Sequence, residues 1–151
     1  DIGHLFAASG GGGNAGCIGC VCVNNQKGSA YTSPADAIPE GDSFDLDFVT
    51  HEIGHQMGGN HTWAFDVEGT GVNSEPGNGS TIMAYAGTGG SDEIQLHSDD
   101  YFHYYPYYLW CYENRFSGSQ CYEYSPTATK IKTGTLKICS GESFLILSLV
   151  S

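Results

Sequence analysis

Apolar residues recur at three- and four-residue steps in one stretch of the chain. The positions that form this pattern are Leu46, Val49, Ile53 and Met57. The spacing predicts a helix with one buried apolar stripe. Asp42 or Ser43 can cap its first turn with a side-chain oxygen. Gly58 follows the last apolar position, and a glycine there can end the helix in the left-handed conformation.

The segments around this helix have weaker patterns. Residues 1–6 form a short apolar segment, and the loose alternation in residues 18–23 predicts a strand. Residues 9–16 are glycine-rich but lack the Gly-Lys-Ser/Thr of a phosphate-binding loop, so they predict a flexible loop. Residues 24–43 and 62–80 are rich in Gly, Asn and Ser, which predicts long surface loops.

Composition favours one secreted domain. A chain of 151 residues with 40% hydrophobic content can bury a core of its own. Five Lys plus Arg against 17 Asp plus Glu give a net charge of −12, which disfavours binding to nucleic acid or to an anionic membrane. No apolar run is long enough to cross a bilayer. The chain begins at Asp1 without a signal peptide, so we expect a processed or truncated end.

Six cysteines fit an oxidising compartment better than the cytosol. One group is Cys17, Cys20 and Cys22, and the other is Cys111, Cys121 and Cys139. Disulfides between the two groups are sterically allowed, but the spacing fixes no pairing. The alternative is a second metal site on Cys17 and Cys20, which lacks a matching second pair. The oligomeric state stays open.

The predicted helix and the turn after it place three histidines, a glutamate and a glycine at spacings that a zinc ion can use. His51 and His55 project from one helix face one turn apart, so their ring nitrogens can converge on one ion. Gly58 lets the chain turn back and bring His61 to the same ion. Glu52 is not needed as a ligand, which is the placement of a general base for a metal-activated water. Three protein ligands leave a position open for that water, as in catalytic zinc sites.

This arrangement is the H-E-x-x-H-x-x-G-x-x-H pattern of the metzincin metallopeptidases, which the chain resembles. Met83, within residues 80–85, is similar to the methionine of the metzincin Met-turn. A narrower resemblance, to the bacterial reprolysin-like (adamalysin-related, M12B-like) secreted metallopeptidases, comes from residues 44–50, 60–62, 75–87 and 98–103. The resemblance covers roughly residues 1–104.

The resemblance implies an α/β (α+β) zincin domain with a central active-site helix and a Met-turn. Only 50 residues precede His51, so the N-terminal sheet is expected to be incomplete. Residues 1–104 would form the catalytic portion, and residues 105–151 a divergent segment, in which Pro106 and its flanking tyrosines fit a helix poorly. A frame change or lineage divergence would explain that segment. Thr62 stands where reprolysins typically have an aspartate.

The resemblance further implies a zinc endopeptidase that cleaves proteins or peptides, with one catalytic zinc ion. Its ligands would be His51, His55 and His61, and its general base Glu52. Residues 18–23 would lie antiparallel to the bound substrate. Two alternatives remain: an inactive zinc-binding module that recognises peptides, and a non-functional truncated fragment.

Some side chains are left with two interpretations. Tyr85, two residues after Met83, would either reach the metal or the reacting carbonyl oxygen, or pack in the cleft wall. His4, His97 and His103 have no motif spacing and are predicted to be surface or hydrogen-bonded residues. The dispersed carboxylates allow calcium binding, although no EF-hand pattern is present.

Overall fold

The computed structural model describes residues 2–34, 38–64, 72–88 and 90–106, and the backbone of residues 135–139 and 142–145. The chain divides into two compact units, Asp1–Cys121 and Tyr122–Ser151. The predicted division after residue 104 stays a prediction. Residues 104–106 are helical, so the expectation that Pro106 fits a helix poorly is wrong there, since the first turn of a helix tolerates proline. The rest of the segment predicted to be irregular, residues 107–124, lies outside the described residues.

The first unit contains a three-stranded sheet. Its strands are β1 (His4–Phe6), β2 (Gly12–Asn14) and β3 (Ala30–Ser33). The spatial order is β1-β3-β2. β1 runs parallel to β3, with His4 opposite Ala30, and β2 runs antiparallel to it, with Gly13 opposite Thr32. β2 is therefore an edge strand of the sheet.

Three sequence predictions about this region are wrong. Residues 9–16 are not simply a flexible loop, because they contain β2. Residues 18–23 form turns instead of a strand, and Gly19 and Cys22 have φ values of 74° and 59°, which an extended strand does not allow. The surface loop predicted for residues 24–43 contains β3.

β3 was missed because two of its three buried side chains are polar. Thr32 and Ser33 are both buried, but their hydroxyls are hydrogen-bonded: Thr32 Oγ1 lies 2.7 Å from His4 Nε2, and Ser33 Oγ donates to the carbonyl of Gly12 at 3.0 Å. Such partners remove most of the cost of burying a hydroxyl. An apolar alternation is therefore absent from a strand that nevertheless faces the interior.

A helix packs on this sheet, and its two halves are wound differently. Ser43–Thr50 is π-helical and continues directly into the α-helix α1, His51–Gln56. The predicted capping is wrong, because Asp42 is itself helical and makes no side-chain cap hydrogen bond. Gly58, with a φ of 104°, ends the helix as predicted.

The predicted apolar stripe is only half-buried. Its members are Leu46, Val49, Ile53 and Met57. π-Helical hydrogen bonds join residues five apart, so positions spaced for an α-helix drift around a π-helix instead of staying on one face. In α1 itself the buried residues are mainly polar: His51, Glu52, Gly54, His55 and Gln56.

Gln56 holds α1 against the sheet. Its Oε1 lies 2.8 Å from His4 Nδ1, and its Nε2 donates to the carbonyl of Gly3 at 2.9 Å. His4 is thus hydrogen-bonded, as predicted. On the other side of the helix the core includes Trp63, Ile82, Met83 and Ala84.

The second unit contains an antiparallel hairpin of β4 (Thr135–Cys139) and β5 (Glu142–Leu145). In the described part of the chain, strands and helix together give an α+β architecture. None of the helices found there is long and apolar enough to pass through a membrane.

Candidate metal centre

α1 presents two of the three predicted ligands. His51 and His55 are both buried, and their rings meet edge to face with centroids 4.8 Å apart. After the helix, Gly58 donates its N–H to the carbonyl of His55 at 2.8 Å, and Gly59 donates to that of Gly54 at 2.9 Å. This tight turn returns the chain over the helix end and brings His61 beside the other two histidines.

The three Nε2 atoms converge on one point. His61 Nε2 lies 3.1 Å from His51 Nε2 and 2.9 Å from His55 Nε2. Tetrahedral zinc with ordinary Zn–N bonds places its nitrogens about 3.3 Å apart. The spacing therefore suits a zinc ion.

Hydrogen bonds at the far side of two rings decide which nitrogen has the proton. His51 Nδ1 lies 2.6 Å from the carbonyl of Ile82, and His55 Nδ1 lies 2.6 Å from that of Gly59. A carbonyl only accepts, so both Nδ1 atoms must be the protonated ones. Both Nε2 lone pairs then point at His61, which has one ring proton to offer at Nε2 at most. A cation among the three nitrogens resolves this excess of lone pairs.

Burial also keeps the three rings neutral, which is the form that binds metal. It lowers the pKa of His51 to about 3, with the neighbouring His55 adding to the effect. Burial lowers the pKa of His55 and, together with His55 and His51, that of His61 to about 2. Metal ligation by these residues needs no proton release near neutral pH.

Glu52 lies between the triad and the sheet. Its side chain is only 8% exposed, and burial raises the pKa of this carboxyl to about 7, against the opposing effect of a backbone hydrogen bond from Ala15. Its Oε2 has no hydrogen-bond partner among the described residues. A carboxylate with a raised pKa and a free oxygen beside a metal-binding triad is suited to proton transfer.

β2 crosses directly over Glu52. A Cβ built on Gly13 would lie 2.5 Å from Glu52 Cγ and 2.6 Å from Oε1. Only glycine lets the strand approach the carboxylate this closely. The glycine-rich segment therefore has a defined place at the site, which its composition alone did not indicate.

Met83 lies in a buried turn against α1, and its assignment to a Met-turn stays a prediction. It is fully buried at 0% exposure, in a turn closed by a hydrogen bond from the N–H of Ala84 to the carbonyl of Thr81 at 2.8 Å. A Cβ on Gly54 would overlap Met83 Sδ, so the helix and the methionine are in close contact. Thr62 donates its N–H to the Met83 carbonyl at 3.1 Å, which joins this turn to the chain beside His61.

Two aromatic rings flank His61. The ring of Trp63 stacks on it at a centroid distance of 3.8 Å, and Tyr85 meets it edge to face at 4.6 Å. Tyr85 is 36% exposed, so its ring both packs against the triad and faces the cleft. The position of Tyr85 is therefore compatible both with packing in the cleft wall and with reaching the metal or the reacting carbonyl oxygen. Its chemical role stays a prediction.

Two cavities adjoin the site. One of about 340 Å³ is lined by residues of the 13–18 segment together with His55 and His61. The other, of about 410 Å³, is lined by Gly12, His51, and residues 84–88 and 96–98. Both touch Gly13, Glu52 and Tyr85. The triad thus lies between two spaces that follow the edge of β2.

A disulfide joins Cys17 to Cys20. Their sulfurs are therefore not available as thiolates, and the alternative of a second metal site on this pair is wrong. The loop between them is fastened to the helix end, because the N–H of Gly19 donates to the carbonyl of His55 at 2.9 Å.

The two remaining histidines are not part of the triad. His97 Nδ1 is 3.6 Å from a carboxylate oxygen of Asp47, and His103 Nδ1 is 3.4 Å from the hydroxyl of Ser74. Among the residues that the structure describes, the histidine triad is the one cluster of three or more potential metal ligands. Nothing there supports a calcium site.

Sequence reasoning missed one buried acid close to the site, Glu75. Its carboxylate binds the turn that contains Met83 (Thr81 Oγ1 to Glu75 Oε2, 2.6 Å). The run of Gly, Asn and Ser around it indicated only a loop. A glutamate within a segment otherwise made of small polar residues was the one available signal.

Comparison with known protein families identifies a metallopeptidase family. The model of the metallopeptidase family M12B, reprolysin-like, matches residues 1–104, which include the triad, Glu52 and Met83. No curated protein and no solved structure matches the chain.

Proposed function

Because the chain belongs to the M12B reprolysin-like metallopeptidase family, we propose that it is a secreted zinc endopeptidase that hydrolyses internal peptide bonds of proteins or peptides. The observation with most weight is Glu52, whose Oε2 has no partner among the described residues and which lies beside three convergent Nε2 atoms. An inactive peptide-binding module has no evident need for a base at that position.

His51, His55 and His61 would hold the metal through Nε2. Zinc bound there would polarise a water molecule and the scissile carbonyl, bringing the pKa of the water towards about 7. Glu52 accepts the proton as the water attacks and then delivers it to the leaving amine. Its carboxyl is matched to both steps, because burial raises its pKa to about 7.

Tyr85 would assist at the carbonyl oxygen. Its ring lies between the two cavities and 4.6 Å from that of His61. A hydroxyl aimed at the oxygen that becomes negatively charged stabilises the transition state more than the substrate.

The substrate would bind along β2. This edge strand borders both cavities, and an extended peptide can add to an exposed strand edge through main-chain hydrogen bonds. A peptide bound antiparallel to β2 would have its N-terminal side in the cavity near Asn14 and its C-terminal side in the cavity near Gly12. Space on both sides of the triad favours cleavage within a chain over removal of terminal residues. The substrate-binding role that the sequence predicted for residues 18–23 is therefore proposed for β2 instead.

Secretion is supported by the Cys17–Cys20 disulfide, since such bonds persist in oxidising compartments. The net charge of −12 favours substrates and surroundings other than nucleic acid.

The experiment compares peptide cleavage by the parent chain and by Glu52→Gln, with and without a chelator. The substitution keeps the size of the side chain but removes its basicity, so hydrolysis should fall by at least about 100-fold while zinc content is unchanged. Glu40→Gln, the same change at an exposed position, is the matched control and should retain parental cleavage.

Cleavage that survives both the chelator and the Glu52→Gln substitution would exclude this mechanism. A peptide-binding module would instead show no zinc-dependent hydrolysis in the parent and unchanged peptide affinity in the variant.

A further inference from the structure

Glu75 is a buried carboxylate whose contacts are all made within the chain. It is 6% exposed. Oε1 accepts the backbone N–H groups of Ser80 at 2.9 Å and Thr81 at 3.1 Å, and Oε2 accepts the Thr81 hydroxyl at 2.6 Å. Although burial acts in the opposite direction, these hydrogen bonds lower the pKa of Glu75. It is therefore an anion with three donors, and it has no free oxygen to use in catalysis.

The backbone of residues 74 and 75 is hydrogen-bonded to the chain beside His61. The N–H groups of Ser74 and Glu75 both donate to the carbonyl of Thr62, at 3.0 and 2.9 Å. The buried Thr62 hydroxyl also helps lower the pKa of Glu75, although it makes no hydrogen bond of good geometry among the described residues. Thr62 directly follows His61, so these contacts fix the backbone that presents the third ligand.

The other end of the contact network fixes His51. Glu75 holds the N–H groups of Ser80 and Thr81, and the next residue is Ile82. The Ile82 carbonyl accepts the hydrogen bond from His51 Nδ1 at 2.6 Å. That bond determines the tautomer and the ring orientation of His51, and thus where its Nε2 points.

The chain is shaped to let Glu75 reach this position. Gly79 has a φ of 75°, and a Cβ there would lie 3.2 Å from Glu75 Cδ and overlap Ala84 Cβ. A side chain at residue 79 would push the turn away from the carboxylate. The close approach depends on the glycine.

We propose that Glu75 is a positioning residue for the metal centre: its carboxylate holds the backbone that orients His51, and its own N–H group holds the backbone that presents His61. The proposal rests on the triad assigned in the proposed function, but it concerns metal geometry and not peptide hydrolysis. Thr62 occupies the position where the family pattern has an aspartate, and the carboxylate of Glu75, 13 residues further along the chain, holds Thr81 in the turn that contains Met83.

The test measures zinc affinity by competition with a chelator, and the visible spectrum of the cobalt-substituted chain. Glu75→Gln keeps the side-chain volume but places an amide NH₂ among groups that are themselves donors. Partners in this outer shell typically contribute 10- to 100-fold to metal affinity, so we expect a loss of about that size and an altered cobalt spectrum. Glu40→Gln is the matched control and should behave as the parent. His61→Ala removes one of the three ligands and shows how far zinc affinity falls when a direct metal contact is lost.

A second variant covers the case in which Glu75→Gln does not fold. Thr81→Val removes only the hydroxyl that donates to Oε2 and preserves the shape of the side chain. We expect its zinc affinity to fall in the same direction, by less than that of Glu75→Gln. Parental zinc affinity and an unchanged cobalt spectrum in these variants, even with a lower melting temperature, would show that Glu75 only stabilises the loop.

The outcomes separate this inference from the proposed function. A parent chain that binds cobalt and zinc but cleaves no peptide would refute the peptidase and leave the Glu75 comparison intact. If the parent cleaves peptides but zinc affinity is unchanged by Glu75→Gln and by Thr81→Val, the inference is refuted and the proposed function stands. A parent that binds neither metal would refute both.

Discussion

Adding one methyl group at Gly13 should displace the general base. The Gly13 Cβ position lies 2.5 Å from Glu52 Cγ, 2.6 Å from Oε1 and 2.8 Å from Cδ, whereas ordinary contacts begin at 3.4 Å. Glu52 must therefore move by about 1 Å, and a misplacement of that size can cost about 100-fold in rate. Gly13 does not have a positive φ, so alanine adds no backbone strain there.

The assay is peptide hydrolysis by Gly13→Ala, with kcat and KM separated. We expect kcat to fall by about 100-fold with zinc affinity retained, because the three atoms nearest to the new methyl group all belong to Glu52 and the three histidines are unchanged. Overpacking should also lower the free energy of unfolding by about 1–3 kcal/mol. Gly28→Ala is the control, since its Cβ would meet nothing within 4 Å.

A double-mutant cycle decides the cause. If the methyl group acts through Glu52, Gly13→Ala should cost little further in a chain that already has Glu52→Gln. Parental kcat in Gly13→Ala would refute the geometry. A rise in KM with unchanged kcat would show instead that the strand edge, and not the base, had been disturbed.

Two further predictions concern Tyr85 and pH. Tyr85→Phe should lower kcat by about 10- to 1000-fold at unchanged zinc content if its hydroxyl stabilises the oxyanion, and parental turnover would leave only its packing against His61. In the metal-free chain, histidines with lowered pKa contribute stability that is full above pH 6.5 and is lost as the pH falls towards about 3. Glu52 has the opposite effect. Its pKa is raised from 4.5 to about 7, so its contribution to stability is lost as the pH rises from 4.5 to about 7. Urea unfolding at pH 7.5 and pH 5 should therefore show a lower midpoint at pH 5, and a steeper drop in Glu52→Gln; equal midpoints in that variant would contradict the lowered histidine pKa values.

The three candidate metal ligands could be predicted from the sequence, because the spacing of side chains on a helix is a local property. Four residues separate His51 from His55, and Gly58 supplies the φ of 104° that returns the chain. The structure brings these residues and His61 together as predicted. Met83 was likewise singled out from the short segment around it, and the structure places it in a buried turn.

The surroundings of the three histidines depend on contacts between distant parts of the chain. The approach of β2 to Glu52, the carbonyl of Ile82 on His51, and the carboxylate of Glu75 at Thr81 all join segments far apart in the chain. No local pattern predicts such contacts, since each depends on which backbone groups the fold leaves in need of a partner. For the same reason the polar strand β3 was missed: hydrogen bonding, not hydrophobicity, allows Thr32 and Ser33 to be buried.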